Sequence, residues 1–307
     1  MKIQQYTKDD LPKLVSFCKN YLETYPDAKL YAPEFYTYHP ALQDSKNVLC
    51  VFDSAQRMVG FAPLSPVLAD NEDGPHDIWA VILAEPNLEI SEIVREFLFT
   101  GVVERANELK ASHSLPRIRL AADMMASQVA DIDFLKLKGF EVFDRVVVMS
   151  RDTMAEIPPI SVPDGVTFRQ QKLASEEEQV AYLQVYNRCF PSSPKTLEGL
   201  RFLLESPIWE MGVAIAAYAP LNEYIGSILI YLDEDGFGIT DDVMVLPQWR
   251  GQNIAKGLIR EGLNYFQGNG VSEVRLEVLV NNVPAVSVYE SMGFCSVNEQ
   301  VLLGKYV

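Results

Sequence analysis

Val243-Met244-Val245-Leu246-Pro247-Gln248-Trp249-Arg250-Gly251-Gln252-Asn253-Ile254-Ala255-Lys256 carries the chain from an apolar strand, through a turn, into the start of a helix. Ile239 to Leu246 reads as the strand, ended by Pro247. Apolar residues at Ile254, Leu258, Ile259, Leu263 and Phe266 recur at helical spacing, which predicts a helix over Arg250 to Phe266 that Gly268 and Gly270 stop. Such a junction turns several backbone N–H groups outward at the positive end of a helix dipole. It binds phosphate without needing basic side chains. Gly251 and Ala255 are small, so a ligand can approach the main chain closely.

Working outward, the rest of the downstream half is legible. Val166 to Gln170 is a short strand. Ser175 to Cys189 is a helix whose first turn, Glu176-Glu177-Glu178, suits the dipole. Thr196 to Leu204 is a second helix. Met211 to Tyr218 and Tyr224 to Tyr231 form a hairpin, Val274 to Val280 alternates as a strand, and Ala285 to Met292 is a short helix before a β-prone tail. The order β-α-α-β-β-β-α-β-α-β gives an α/β protein with a mixed sheet.

A second motif follows: Asn282-Val283-Pro284-Ala285-Val286-Ser287-Val288-Tyr289-Glu290-Ser291-Met292-Gly293-Phe294. Asn282 can cap this helix, Pro284 is tolerated in its first turn, and Gly293 can take the left-handed position after it. Helix architecture alone therefore explains Asn282 and Gly293. It leaves Tyr289 either a core aromatic or a side chain aimed at a ligand.

The two motifs together resemble the GNAT superfamily of acyl-coenzyme A-dependent N-acyltransferases. The superfamily's pyrophosphate loop reads Arg/Gln-x-x-Gly-x-Gly/Ala, usually after V-x-P. Arg250 and Ala255 match, and Asn253 stands where the family has glycine. Asn is the residue that best tolerates left-handed backbone angles after Gly. The second motif is similar to N-x-x-A-x-x-L-Y-x-x-x-G-F at every anchor, with Val288 for the leucine.

The resemblance implies an acetyl-CoA-dependent N-acetyltransferase in which an amine attacks the thioester directly. Backbone at Val243, Met244 and Val245 would hold the pantetheine arm and polarise the thioester carbonyl. Amides of Arg250, Gly251, Gln252, Asn253, Ile254, Ala255 and Lys256 would cradle the pyrophosphate. Asn282, with Ala285 behind it, would contact the arm, and Tyr289 would protonate the departing thiolate. Three carboxylates compete for the role of general base. Glu277 sits on an otherwise apolar strand, where burial would raise its pKa usefully; Asp241 and Asp242 lie on the preceding strand.

The upstream half repeats the plan. Helices are expected at Leu11 to Leu22, Glu92 to Leu109 and Val129 to Leu137. Strands are expected at Val48 to Phe52, Met58 to Ala62, Ile78 to Ala84 and Arg117 to Ala121. Gly139-Phe140 and Gly293-Phe294 stand at corresponding places, which points to a tandem duplication. Aligning Pro86 with Pro247 puts Glu89 to Val94 where the turn should be, with no glycine and two acids. Leu135 takes the place of Tyr289. The expected organisation is a degenerate GNAT-like domain over 1–152, a proline-rich linker over 153–165, and the acetyltransferase domain over 166–307. Tandem enzymes such as mycothiol synthase have a similar architecture.

The net charge of −16 is shared evenly, with 16 basic and 24 acidic residues through Glu156 and 10 and 18 beyond it. Such a surface repels nucleic acid and attracts amines, or simply keeps the protein in solution. The expected partners are acetyl-CoA and an amine acceptor (a small molecule, a peptide or a protein N-terminus), with a homodimer left open. No apolar run spans a bilayer, and the polar start MKIQQYTKDD lacks a signal-peptide core. Cys18, Cys50, Cys189 and Cys295 have no metal-ligand spacing, and His39, His76 and His113 are far apart. The expectation is therefore a cytoplasmic protein with free thiols and no metal.

Overall fold

In a computed structural model, the structure describes residues 3–38, 42, 45–68, 76–191, 193–233 and 235–307; His39 lies outside them. The chain forms two compact units. The first comprises Met1–Val146 and Glu299–Val307, the second Val147–Asn298. Segment 153–165 thus lies inside the second unit.

The first unit runs β1 (Ile3–Gln5), α1 (Leu11–Thr24), α2 (Pro33–Tyr38), β2 (Val48–Phe52), β3 (Met58–Leu68), β4 (His76–Ala80), β5 (Leu83–Ala84), α3 (Ser91–Ser112), β6 (Arg119–Met125) and α4 (Val129–Leu137). β7 (Glu141–Asp152) passes into the second unit. That unit continues β8 (Thr167–Gln171), α5 (Glu176–Cys189), α6 (Leu197–Leu204), β9 (Val213–Ala219), β10 (Glu223–Leu232), β11 (Gly238–Val245), α7 (Ile254–Gly268), β12 (Glu273–Leu279) and α8 (Val283–Ser291). The last strand, β13 (Cys295–Tyr306), starts there and ends in the first unit.

Each unit is a mixed α/β sheet, with one parallel pair among the described registers. In the first the strand order is β1-β2-β3-β4-β6-β13, and β4 and β6 are parallel, joined through α3. In the second the order is β7-β12-β11-β10-β9-β8, and β11 and β12 are parallel, joined through α7. A parallel pair needs such a crossover, and the helix then covers one sheet face. Leu258, Ile259, Leu263 and Phe266 of α7 are buried against Ile228, Ile230, Val274 and Leu276. The opposite face packs Tyr182 and Tyr186 of α5 and Leu200 of α6 against Ala214, Leu229 and Met244.

The inferred repeat is visible in backbone geometry. α4 and α8 both end on a left-handed glycine, Gly139 at φ 82° and Gly293 at φ 84°. In each case the next phenylalanine donates its amide five residues back, Phe140 to Leu135 and Phe294 to Tyr289, both at 3.1 Å. This is a Schellman closure, and both phenylalanines are buried.

The structure also corrects the element boundaries. α7 starts at Ile254 rather than Arg250, because Gly251 (φ 75°) and Asn253 (φ 61°) are left-handed and cannot continue a helix. Gly268 is helical, and the chain reverses at Gly270 (φ 76°). The strand expected over Ile78 to Ala84 is two pieces, β4 and β5. The strand expected from Arg117 begins at Arg119. All four cysteines are free thiols. Among the described residues no helix is long and apolar enough to cross a membrane, and no metal-binding cluster occurs.

Candidate active site

β11 and β12 are in register only at Gly238↔Val274 and Ile239↔Arg275; among the described residues no later pair is registered, although both strands continue. The parallel pair therefore opens toward its C-terminal end. On the other side of β11, Ser227 faces Met244 and Leu229 faces Asp241. Asp242 and Val243 together thus oppose Ile228 alone. This is a β-bulge, which leaves main-chain groups without ladder partners and bends the strand. Asp242 carries the strain at φ 49°. The sequence nominated the backbone of Val243, Met244 and Val245. Met244 and Val245 bury their side chains in the core, so only their main chain can serve a ligand.

The turn after β11 is open. Arg250, Gly251, Gln252 and Asn253 are exposed, and a Cβ built on Gly251 would meet nothing within 4 Å. Gly257 is the first amide bonded into α7, to the Asn253 carbonyl at 2.9 Å. The amides of Ile254, Ala255 and Lys256 precede it and have no partner within the helix. Ile254 itself anchors the turn in the core, while Ala255 and Lys256 are half-buried. The Arg250 guanidinium reaches back to the Val245 carbonyl at 3.0 Å and fixes the turn to the strand. Asn253 adopts the backbone angles that glycine would supply. Its carboxamide donates to the Ser161 carbonyl at 3.1 Å, an anchor outside the turn. Residues present therefore fit a pyrophosphate: an open turn, three helix-end amides and no acidic side chain within residues 250–256.

α8 brings the second motif alongside. The Asn282 side chain accepts from the Ala285 amide at 3.4 Å as the helix cap; Asn282 is exposed and Ala285 half-buried. Tyr289 is buried, its ring 6.0 Å from that of Phe294 in an edge contact. Burial first, then the charge of Asp241, pushes its phenol pKa well up. Tyr289 therefore keeps its proton at neutral pH.

The three carboxylates are brought together but differ. The Tyr231 hydroxyl, 3.3 Å from Asp241 Oδ2, has its pKa raised first by burial and then by Asp241, with smaller contributions from Asp242 and Glu277. Asp241 also accepts the Asp242 amide at 2.8 Å. Asp242 accepts from the Tyr182 hydroxyl at 2.5 Å and forms an ion pair with Lys195. Burial, then Asp241, raises its carboxyl pKa despite that lysine. Glu277 is exposed, which corrects the expectation that burial would tune it. The alternation of β12 explains this: Val274, Leu276 and Val278 take the core face.

Lys195, Tyr182 and Asn187 lie outside the two motifs, although Lys195 falls in the Arg188 to Leu204 segment that the sequence suggests as a substrate loop. Lys195 lies on the connection between α5 and α6. Its ammonium sits 4.6 Å from the Tyr186 ring centroid, and Asn187 clamps its main chain on both sides, at 2.9 and 3.2 Å. Only the covariation of distant positions could have exposed this set, since it spans a loop with no repeating pattern.

Among the described residues, the first unit does not repeat this arrangement. Gln128 caps α4 with nearly the backbone angles of Asn282, but its amide is spent on the Tyr21 hydroxyl (2.7 Å) and the Met125 amide (2.8 Å). Leu135 fills the Tyr289 position in the core. Arg95, near the start of α3, is buried in an ion pair with Asp131 at 2.6 Å, which also accepts from Tyr21.

A sheet that opens between its parallel strands beside an amide-lined turn places the second unit in the GNAT class of acyltransferase folds. Residues 180–294 match the family described as Acetyltransferase (GNAT) family, so this unit holds a domain of that family. The chain is 31% identical to the mycothiol acetyltransferase of Thermomonospora curvata over 156 residues, 49% of this chain and 52% of that protein. It is 24% identical to the mycothiol acetyltransferase of Arthrobacter sp. over 289 residues, 82% of this chain and 89% of that one. The chain thus spans about half the length of the first relatives and nearly all of the Arthrobacter protein. Among solved structures, a GCN5-related N-acetyltransferase from Sphaerobacter thermophilus superposes with a TM-score of 0.71 at 18% identity, covering 99% of this chain and 95% of that one. A tandem GNAT protein from the clavulanic acid biosynthesis pathway gives 0.70 at 15% identity, covering 99% and 98%. The tandem GNAT fold is therefore shared along the whole chain.

Proposed function

We propose that the second unit transfers an acetyl group from acetyl-CoA to a primary amine by direct attack on the thioester. The observation that carries this is the conjunction, at one opening in the sheet, of a left-handed, amide-lined turn, a bulged strand and a buried protonated tyrosine. Main-chain amides of residues 250–256 bind the diphosphate of the donor, and the strand edge at Val243 and Val245 orients its arm. Asn282 contacts that arm. The acceptor nitrogen forms the new N–C bond as the C–S bond breaks.

Glu277 takes the proton that the acceptor ammonium must lose, directly or through water, with Asp241 as the rival base. Both lie on strands flanking the opening. Asp242 does not serve, because Tyr182 and Lys195 already occupy it. Tyr289 gives its proton to the departing thiolate. Relatives named mycothiol acetyltransferases support an acetyl donor; the negatively charged strand ends support an acceptor that arrives as an ammonium.

Thiol release from acetyl-CoA across a panel of primary amines tests the reading, with calorimetric titration of coenzyme A alongside. Tyr289→Phe should lower kcat by about 10²-fold or more while leaving coenzyme A affinity unchanged. Tight coenzyme A binding with no turnover of any amine would favour a catalytically silent acyl-CoA-binding module instead.

A further inference from the structure

Asp242 has a left-handed backbone, at φ 49°, inside a strand. Such angles cost an L-residue free energy, so its surroundings must enforce them. The enforcement comes from three directions. The Asp242 amide donates to the Asp241 carboxylate at 2.8 Å. The Asp242 carboxylate accepts from the Tyr182 hydroxyl at 2.5 Å, and the same oxygen pairs with the Lys195 ammonium. These contacts leave the Asp242 side chain 9% exposed, against 31% for Lys195. The bulge of β11 is therefore held in part by a residue from outside the sheet.

Lys195 is itself placed by α5. Asn187 Oδ1 accepts the Lys195 amide at 2.9 Å, and Asn187 Nδ2 donates to the Lys195 carbonyl at 3.2 Å. The ammonium stands 4.6 Å from the Tyr186 ring centroid. The next residue, Thr196, caps α6 by accepting from the Gly199 amide at 3.1 Å. The ammonium is thus delivered from a fixed main chain onto a carboxylate whose sequence neighbour, Asp241, is also acidic. Adjacent carboxylates repel, and burial adds to the cost of the charge. A cation held there offsets both. Without it, an ionised Asp242 side chain gains by turning to water, and the backbone angles of the bulge are released with it.

We propose that Lys195 is a positioning residue for the transfer: through its ion pair with Asp242 it locks the bulge of β11 and keeps the main chain at Val243 aimed at the donor's pantetheine arm. This rests on the acetyltransferase reading of the same site. Lys195 touches neither substrate nor the reacting atoms. It governs the arm and thioester end of the donor. The pyrophosphate turn, which Arg250 ties to the Val245 carbonyl and Asn253 to the Ser161 carbonyl, does not depend on it.

Amide hydrogen exchange and calorimetry on the full chain test this, with coenzyme A and with ADP, a probe that carries a diphosphate but no arm. Lys195→Met keeps the apolar stem and removes the charge. In it, amides of residues 242–245 should exchange about tenfold faster, and coenzyme A should bind about tenfold more weakly, while ADP affinity stays unchanged. Lys195→Arg restores the charge and should recover both. In turnover, Lys195→Met should lower kcat by about tenfold and leave the KM of the acceptor amine unchanged, a split that a merely loosened connection would not give. Asn187→Ala frees the Lys195 main chain but keeps both charges; it should speed exchange at the same amides, and it keeps the test valid should Lys195→Met fold poorly. Unchanged exchange at residues 242–245 in Lys195→Met would mean that Asp242 takes up a proton where it stands, and overturns the proposal. So does an equal loss of affinity for coenzyme A and ADP, or a failure of Lys195→Arg to restore the native values. A native protein that binds no coenzyme A sinks the acetyltransferase reading instead, and hydrogen exchange still decides whether Lys195 holds the bulge.

Discussion

Asn253 shows how one residue can depart from a family pattern and keep its geometry. Left-handed backbone costs an ordinary L-residue roughly 1–2 kcal/mol, and Asn bears it with the least penalty after glycine. At φ 61° and ψ 11° it holds the turn, and its side chain is tied to Ser161. Asn253→Gly should preserve or tighten coenzyme A affinity, whereas Asn253→Val should weaken it by about tenfold, as calorimetry would record. Asp242 makes a different prediction. Its carboxyl pKa is raised, mainly by burial and then by Asp241. The folded state thus holds that proton more tightly than the unfolded chain does. The stability linked to this group is fully present below the ordinary carboxylate value and is lost as pH rises through the raised one. Thermal melts across mildly acidic to neutral pH should fall along that window in the native protein. In Asp242→Asn this part of the curve should flatten; an unchanged slope would assign it to another group.

Among the elements, α5 illustrates what was readable. Ser175 begins it, and Glu178 closes a capping box: the Glu178 amide donates to Ser175 Oγ at 3.2 Å, and the Ser175 amide points back to the Glu178 carboxylate. Ser175→Ala should cost about 1 kcal/mol, seen as a lower urea midpoint with an unchanged m-value. The same local chemistry made α8 legible, through Asn282 and Gly293, and fixed the hairpin of β9 and β10. Local rules fail where geometry depends on a neighbour in space. The bulge at Asp242 lies where β11 keeps its pairing with β10 beyond its last registered pair with β12. Nothing in Asp241-Asp242-Val243 announces it. The start of α7 was misplaced for a related reason: apolar periodicity reports a buried face, and Arg250 to Asn253 are exposed, so their left-handed turn leaves no periodic trace. The apolar strand around Glu277 suggests burial, yet alternation alone puts this residue outward.

Across the whole molecule, the chain's last strand sets a dependency that neither half shows alone. Gln300 to Tyr306 pair antiparallel with Met125 to Arg119, and Val301, Leu302 and Leu303 are buried. The first unit's β6 is therefore completed by the segment that comes last in the chain. Removing residues 299–307 would leave β6 with an open edge beside β4 and expose three apolar side chains. Burial of that size contributes about 5 kcal/mol, comparable to the stability of a whole domain. Hydrogen exchange followed by mass spectrometry should then show amides of β4, β6 and α3 losing protection. Those of β10, β11 and α7 should keep theirs, and coenzyme A should still bind. Loss of protection in both units together would mean that their folding is one cooperative event, and the first unit would then be a support the second cannot do without.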